Sequence, residues 1–329
     1  MKKAVKSLFS AVLFSIVCII VFAGCANQAG VEKAEKIWRE YHPEKIQDLG
    51  STETLAILPL IDFYTVTPEL KGEPGVSYLI KTDHNTILFD VGFNQDETDP
   101  SPLEYNMNLL DITIDDFDTI VISHNHPDHV GGFDRMNQKT FSLGNEQVDL
   151  KGKTVFTPMP MTYPGLSPIC TTGPNIIGPG IATIGTIPRQ LFLVGWIEEQ
   201  ALAVNVKGKG IVIIVGCGHQ TVKKILERTR QLFSEPIYGI IGGLHYPVPD
   251  GRMFKFGLDV QPIVSTESLF KGISEEDVKA DIERIKALNP KIVSLSAHDS
   301  SDEALDKFRT AFGTTYRELL VGDLIIIGE

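Results

Sequence analysis

Thr119-Ile120-Val121-Ile122-Ser123-His124-Asn125-His126-Pro127-Asp128-His129-Val130-Gly131-Gly132 is the stretch that decides how this chain of 329 residues folds. A short apolar run rich in β-branched residues has the composition of a buried strand. It ends in a segment that packs three of the chain's eight histidines and one carboxylate into six residues. Imidazole and carboxylate are the ligands that a cation such as zinc takes in sites kept open for chemistry, whereas closed structural sites favour thiolates. His124 and His126 are two apart, so an extended backbone points both to one side. Pro127-Asp128 can turn the chain and bring Asp128 and His129 to the same volume, and Gly131-Gly132 frees the backbone just beyond.

This segment resembles the H-x-H-x-D-H signature of the metallo-β-lactamase-fold hydrolases. Other stretches resemble the family's motifs in the same order: Val76 to Ile80 with Ile87-Leu88-Phe89-Asp90-Val91-Gly92, then Val215-Gly216-Cys217-Gly218-His219, Ile241-Gly242-Gly243-Leu244-His245 and Ser296-Ala297-His298-Asp299. The Gly-Cys-x-His and Gly-Gly-x-His forms are similar to the branch that contains dihydropterin-type synthases. The resemblance spans roughly residues 54 to 329. It implies an α/β fold, an αββα sandwich of two mixed β-sheets flanked by helices. Strand-rich segments, each closed by a helix and followed by ligand-bearing loops, agree with such a layered design.

The resemblance also implies a division of labour. His124, His126 and His219 would hold one divalent metal; Asp128, His129 and His298 would hold a second. Zinc is the first expectation, with manganese or iron as alternatives. Paired cations can share a hydroxide and polarise the bond under attack, and Asp128 would both bind and orient. Asp90, ending a strand, is a candidate to accept an imidazole N–H. One departure stands out. Where many members carry a bridging carboxylate, this chain reads Gly242-Gly243-Leu244-His245. His245 is therefore expected to act as a replacement ligand, a proton donor or a substrate clamp. His42 and His84, beside a proline and in a turn, receive no role.

The implied function is hydrolysis of an ester, amide, lactone or phosphoester by a metal-bound hydroxide. A dihydropterin-type synthase or transferase of the same fold is one alternative. A non-catalytic, metal-dependent binding lipoprotein is another, and Asp128 argues against it, because a pure binding site needs no base beside an open metal. The expected partner is a small-molecule substrate.

The N-terminus reads as an export signal over residues 1–24. Lys2, Lys3 and Lys6 precede the apolar run Leu8 to Phe22, which is short for a membrane span. Phe22-Ala23-Gly24-Cys25 resembles a bacterial lipoprotein processing site, with Cys25 taking the lipid. Residues 25–50 then form a polar tether, with a short helix before Pro43, and residues 51–329 form the catalytic domain. The protein is expected on the extracytoplasmic face of the cell membrane, held by its lipid.

The formal net charge is −12, and removing residues 1–24, with three lysines and no acid, takes it to −15. That argues against nucleic acid, whose phosphates require clustered lysine and arginine. Cys170 and Cys217 remain in the domain. In an exported protein they can form a disulfide; alternatively Cys217, two residues before a proposed ligand, is a metal-proximal thiol, and a buried inert cysteine is the commonest outcome for either.

The pattern predicts strands at 55–61 and within 76–90, a helix at Leu103–Leu110 and a strand at 118–123. Residues 140–190, rich in Gly, Pro and Thr, read as short strands and loops. Two strands surround the turn Lys207-Gly208-Lys209-Gly210. An amphipathic helix follows at Thr221–Phe233, then a strand at Ile237–Ile241. Ser274 caps a helix through Leu288 with acids in its first turn. A strand at Ile292–Leu295, a helix at Ser301–Phe312 stopped by Gly313, and a last strand region at Glu318–Ile327 complete the chain.

Overall fold

The computed structural model describes residues 24–328 apart from 193, 253, 256–257, 260 and 268–271. The proposed export signal over residues 1–24 lies outside the described residues except for Gly24. In chain order, a helix over 24–40 (α1) is followed by β1 (Thr54–Ile61), β2 (Ser77–Thr82), β3 (Thr86–Phe89), α2 (Pro102–Leu109), β4 (Thr119–Val121), α3 (Pro127–Val130), α4 (Phe133–Gln138) and β5 (Thr154–Thr157). Next come β6 (Ile169–Cys170), β7 (Asn175–Gly178), β8 (Ile181–Thr183), β9 (Ile187–Leu191), β10 (Gly195–Glu199), β11 (Leu202–Val206), β12 (Gly210–Val215), α5 (Val222–Leu232) and β13 (Ile237–Gly242). The chain closes with β14 (Phe254–Lys255), β15 (Leu258–Asp259), α6 (Gln261–Val264), α7 (Glu275–Lys286), β16 (Ile292–Leu295), α8 (Asp302–Phe312) and β17 (Ile325–Gly328).

Two mixed sheets face each other. The first runs β17-β1-β2-β3-β4-β5-β6 and the second β16-β13-β12-β11-β8-β7. The β3-β4-β5-β6 and β12-β13-β16 neighbours are parallel; the remaining pairs in both sheets are antiparallel. The alternation along each strand sorts side chains between layers. Val212 and Ile214 of β12 meet Leu55, Ile57, Ile80 and Phe89 between the sheets. Ile211, Ile213 and Val215 of the same strand turn to the other side, against Ile225 of α5, Ile282 of α7 and Phe308 of α8. Leu88 of β3 and Ile120 of β4 pack outward on Leu103 and Met107 of α2. The result is the α/β sandwich with two mixed sheets flanked by helices that the motif order implies. β12 is buried at every position, as expected of a strand in a parallel stretch covered on both faces.

Local signals set the helix ends. Ser101 and Ser274 each close a capping box at the start of α2 and α7. Ser301 caps α8, and Gly313 ends it. Two differences are informative. The last strand is shorter than the 318–327 region, because Arg317 to Asp323 instead forms a turn tied back to β16 and Pro59. The segment read as a tether is also not loose. In α1, Ala34 is buried and Trp38 packs on the core beneath α5. The Arg228 guanidinium lies 5.2 Å from the Trp38 ring centre and 5.0 Å from that of Tyr41, and Lys224 pairs with Glu35 at 2.6 Å. Trp38 and Ala34 sit one helical turn apart, so the short helix gains one apolar stripe and docks with it. Among the described residues no helix is long and apolar enough to cross a membrane.

The candidate metal centre

The parallel strands end on one rim. Their carboxyl ends are where open α/β sheets present ligand-binding loops. From the first sheet come Asp62 after β1, Asp90 after β3 and the loop from Ser123 to His129 after β4. From the second come Cys217 and His219 after β12, His245 after β13, and Ser296, His298 and Asp299 in the segment after β16. Pro127 starts the single turn of α3, and Gly131 in the left-handed region (φ 85°) ends it. That turn carries Asp128 and His129 back over the site.

The six histidines on the motifs form one continuous cluster. Ring centres are 4.5 Å apart for His124 and His126, 4.2 Å for His124 and His129, 4.9 Å for His126 and His219, 5.3 Å for His129 and His298, and 4.4 Å for His219 and His245. His42 and His84 lie apart on the surface, both exposed.

Hydrogen bonds fix which imidazole nitrogen faces inward. Ser123 Oγ donates to Asp90 Oδ2 at 2.6 Å, so it accepts from His124 Nδ1 at 3.0 Å. His129 Nδ1 donates to the same Asp90 oxygen at 2.7 Å. A parallel relay serves the far side: Ser296 Oγ donates to Asp62 Oδ2 at 2.6 Å and accepts from His298 Nδ1 at 2.6 Å. In His124 and His298 the proton sits on Nδ1 and the lone pair on Nε2. The Nε2 atoms of His124, His129 and His298 are buried and make no hydrogen bond, nor does Nδ1 of His219. Buried polar atoms are ordinarily paired, and unpartnered Nε2 atoms on three rings of one cluster, with His219 Nε2 facing His126 Nδ1 at 3.2 Å, are what a cation satisfies. The donor set therefore fits a divalent metal.

Burial, reinforced by neighbouring imidazoles, holds His124 and His219 well below the usual imidazole range. Burial likewise takes His126 down to about 4. These three rings are thus neutral and able to ligate near neutral pH. Burial works against the charges of Asp128 and His129, yet their mutual attraction wins, lowering the carboxyl and raising the imidazole. A cation beside Asp128 would take over that role from the imidazolium.

His245 is placed differently from the other five. It adopts φ 59°, uncommon for a residue with a side chain, and its backbone N–H donates to Asp299 Oδ2 at 3.0 Å. Ser265 Oγ donates to the Gln261 carbonyl, so it accepts from His245 Nε2 at 2.6 Å. This leaves the Nδ1 lone pair facing Cys217 Sγ at 3.2 Å. Asp90 shares the same strained backbone region, also at φ 59°. The two glycine motifs have a steric reason. A Cβ on Gly216 would run into Ser123 Oγ and approach Asp90 Oδ2, and one on Gly243 would strike the Gly216 carbonyl and His298.

Three supports escaped the sequence reading. Asp62 anchors the His298 relay and also accepts from Tyr78 OH at 3.0 Å. Glu199, at the end of β10, accepts the backbone N–H groups of Cys217, Gly218 and His219 at 2.9, 2.8 and 2.7 Å. Burial pushes its carboxyl up to about 7. Arg189 on β9 donates to the His219 carbonyl at 2.9 Å. Asp62 ends an apolar strand as Asp90 does (Leu60-Ile61-Asp62 against Leu88-Phe89-Asp90), and that parallel was the available signal. Cys170 and Cys217 are both free: the first is exposed on β6, the second buried among the ligands, so the disulfide alternative does not hold.

A cavity of about 230 Å³ opens beside His245, its walls including Arg189, Lys223, Ser265, Glu267 and Arg284. Its cations are matched by acids: Arg189 pairs with Glu267 at 3.0 Å and Arg284 with Asp281. A pocket of mixed charge rather than a purely basic one thus borders the cluster.

Comparison with known proteins agrees with this architecture. The metallo-beta-lactamase superfamily profile matches residues 70–141. The chain is 23% identical over 292 residues to 7,8-dihydropterin-6-methyl-4-(beta-D-ribofuranosyl)-aminobenzene-5'-phosphate synthase of Methanocaldococcus jannaschii, covering 74% of this chain and 98% of that protein. Among solved structures, a metal-dependent hydrolase of the beta-lactamase superfamily aligns with TM-score 0.56 and 20% identity over 84% of this chain and 100% of its own. The metallo-beta-lactamase fold protein YhfI from Bacillus subtilis aligns with TM-score 0.50 and 14% identity, over the same shares. The chain therefore has the metallo-beta-lactamase fold, and its segment 70–141, which contains the His124–His129 loop, matches that superfamily.

Proposed function

We propose that this protein is a metal-dependent hydrolase, acting on an ester, amide, lactone or phosphoester of a small molecule. The observation that carries this reading is the set of buried, unpartnered Nε2 atoms on His124, His129 and His298, each opposite a hydrogen-bonded Nδ1. His124, His126 and His219 would hold one divalent cation, and Asp128, His129 and His298 a second, with zinc the first expectation. Bound there, such cations lower the pKa of water toward neutrality and polarise the bond to be broken.

The chain's own residues do the rest. Asp90 and Asp62, each through a serine, keep the imidazoles in the ligating tautomer. Asp128, whose side chain keeps 22% of its exposure, is the group at the rim able to orient a water and take its proton. His245 lies between the cluster and the 230 Å³ cavity; its Nδ1 is available to hold a proton for the leaving group. Ser265 fixes that ring, and the cavity beside it gives room for a substrate. A synthase-type transfer is the second reading, supported by the similarity to the archaeal synthase along nearly its full length. Rates on ester, lactone, β-lactam and phosphodiester substrates, with zinc-, manganese- and iron-loaded protein, test the proposal. Metal-dependent hydrolysis of one class is expected; metal binding without turnover on any would favour the transfer or binding readings.

We further propose that the chain is exported and anchored by lipid at Cys25, an exposed residue at the start of α1. Stable anchoring needs more than one acyl chain, which a diacylated cysteine supplies. The protein is expected in the membrane fraction, and Cys25→Ser is expected to move it out; an unchanged fraction and processed mass would refute the anchor.

A further inference from the structure

The ligand-bearing groups overlap at one atom. Cys217 Sγ lies with nitrogens of His124 and His219 in a set whose members are all within 4.8 Å of one another. The same sulfur forms a second such set with His129 and His298, and a third with His245 and Asp299. No other residue belongs to all three. Cys217 therefore stands between the two groups of imidazoles, each of which presents an orphaned nitrogen toward that volume.

We propose that Cys217 Sγ is a metal ligand shared by the two groups of imidazoles, taking the place of the carboxylate that the chain lacks after β13. This rests on the metal-centre reading above. Three observations distinguish the residue from a buried inert cysteine. First, its surroundings are polar: Sγ is 3.2 Å from both His245 Nδ1 and Asp299 Oδ2, whereas an inert buried thiol packs among apolar groups. Second, its position is held by design: Glu199 takes its backbone N–H, and a Cβ on the preceding Gly216 would collide with Ser123. Third, charge favours it. With Asp128 and Asp299 the nearby carboxylates, a sulfur common to the His124–His219 and His129–His298 sides would add a shared anion and offset the repulsion of two bound cations. The sulfur would ligate as thiolate, its proton displaced by the cation and released to solvent.

A thiolate changes which metals the site takes. Sulfur ligation favours zinc and iron and disfavours manganese and magnesium, which suit oxygen ligands. The test uses the full chain loaded with cobalt(II), whose visible d–d bands report coordination and whose near-ultraviolet charge-transfer band reports a thiolate. Both bands are expected in the wild type and in the double variant Cys25→Ser/Cys170→Ser, so the result does not depend on a substitution at the site. Cys217→Ser is expected to keep the d–d bands and lose the charge-transfer band. Visible bands without the charge-transfer band in the wild type would overturn the thiolate proposal and leave the metal reading standing. A charge-transfer band that persists in Cys217→Ser would also overturn it. No cobalt spectrum in any of these proteins would instead refute the metal centre itself.

Discussion

The two sheets supply the centre in opposite ways. The first sheet delivers four candidate ligands from one loop, His124 to His129, in which each is set by its neighbour along the chain. The second delivers His219, His245 and His298 from three separate strand ends, brought side by side only because β12, β13 and β16 are parallel neighbours. The first arrangement is made by local geometry; the second exists only once the sheet has formed. What unites them is the support. Asp90 through Ser123 and Asp62 through Ser296 apply the same carboxylate–serine–imidazole relay to the two sides. Glu199 holds the loop from Cys217 to His219 that follows β12.

This contrast predicts separable losses. The largest effect is expected from removing ligands. His124→Ala or His219→Ala should empty the first position, and Asp128→Ala or His298→Ala chiefly the second, with turnover lost in all four. Metal analysis of the purified variants checks it. Undiminished metal in all four would break the assignment, and equal loss in all four would show that the two sides act as one indivisible unit.

His245 sharpens the comparison, because it reaches the cluster from the second sheet with Nε2 already engaged by Ser265. His245→Ala should keep the first metal and lower turnover by about 10²–10⁴-fold, the range of a lost proton donor. Rate and metal content measured on one preparation separate this from ligation. Lost metal with activity restored by excess zinc would make His245 a ligand; full rate with full metal would make it structural.

A smaller effect is expected at Glu199, which touches no candidate ligand ring but accepts three successive N–H groups around His219. Glu199→Gln replaces two accepting oxygens by one and leaves at least one buried donor unmet. Metal affinity should fall by about 10–100-fold, as for other supports of a metal site. The loss should be greater at the first position than at the second. An unchanged zinc affinity would mean that the loop holds itself, without Glu199.

What the sequence disclosed follows the same division. The loop after β4 was legible because its ligands are neighbours on the chain. His219, His245 and His298 were legible as repeated glycine- or serine-led strand ends, although their meeting depends on strand order. Glu199 was hidden in the alternation of Gly195 to Glu199, in which Glu198 and Glu199 look alike until β10 is placed; only the second is buried. Cys217 was read as one of several alternatives, since its role depends on five side chains far away in sequence. The helix before Pro43 was expected but its docking was not: the charged residues read as a tether, while Ala34 and Trp38 form the stripe that packs on the core.

The central claim is that both sheets ligate one metal centre. Anomalous diffraction at the zinc edge from crystals of the zinc-loaded protein tests it most directly. The account predicts anomalous peaks at about 2.0–2.1 Å from the inward nitrogens, one beside His124 and His219 and another beside His129 and His298. Peaks confined to the exposed His42 or His84, or none within the cluster, would contradict it.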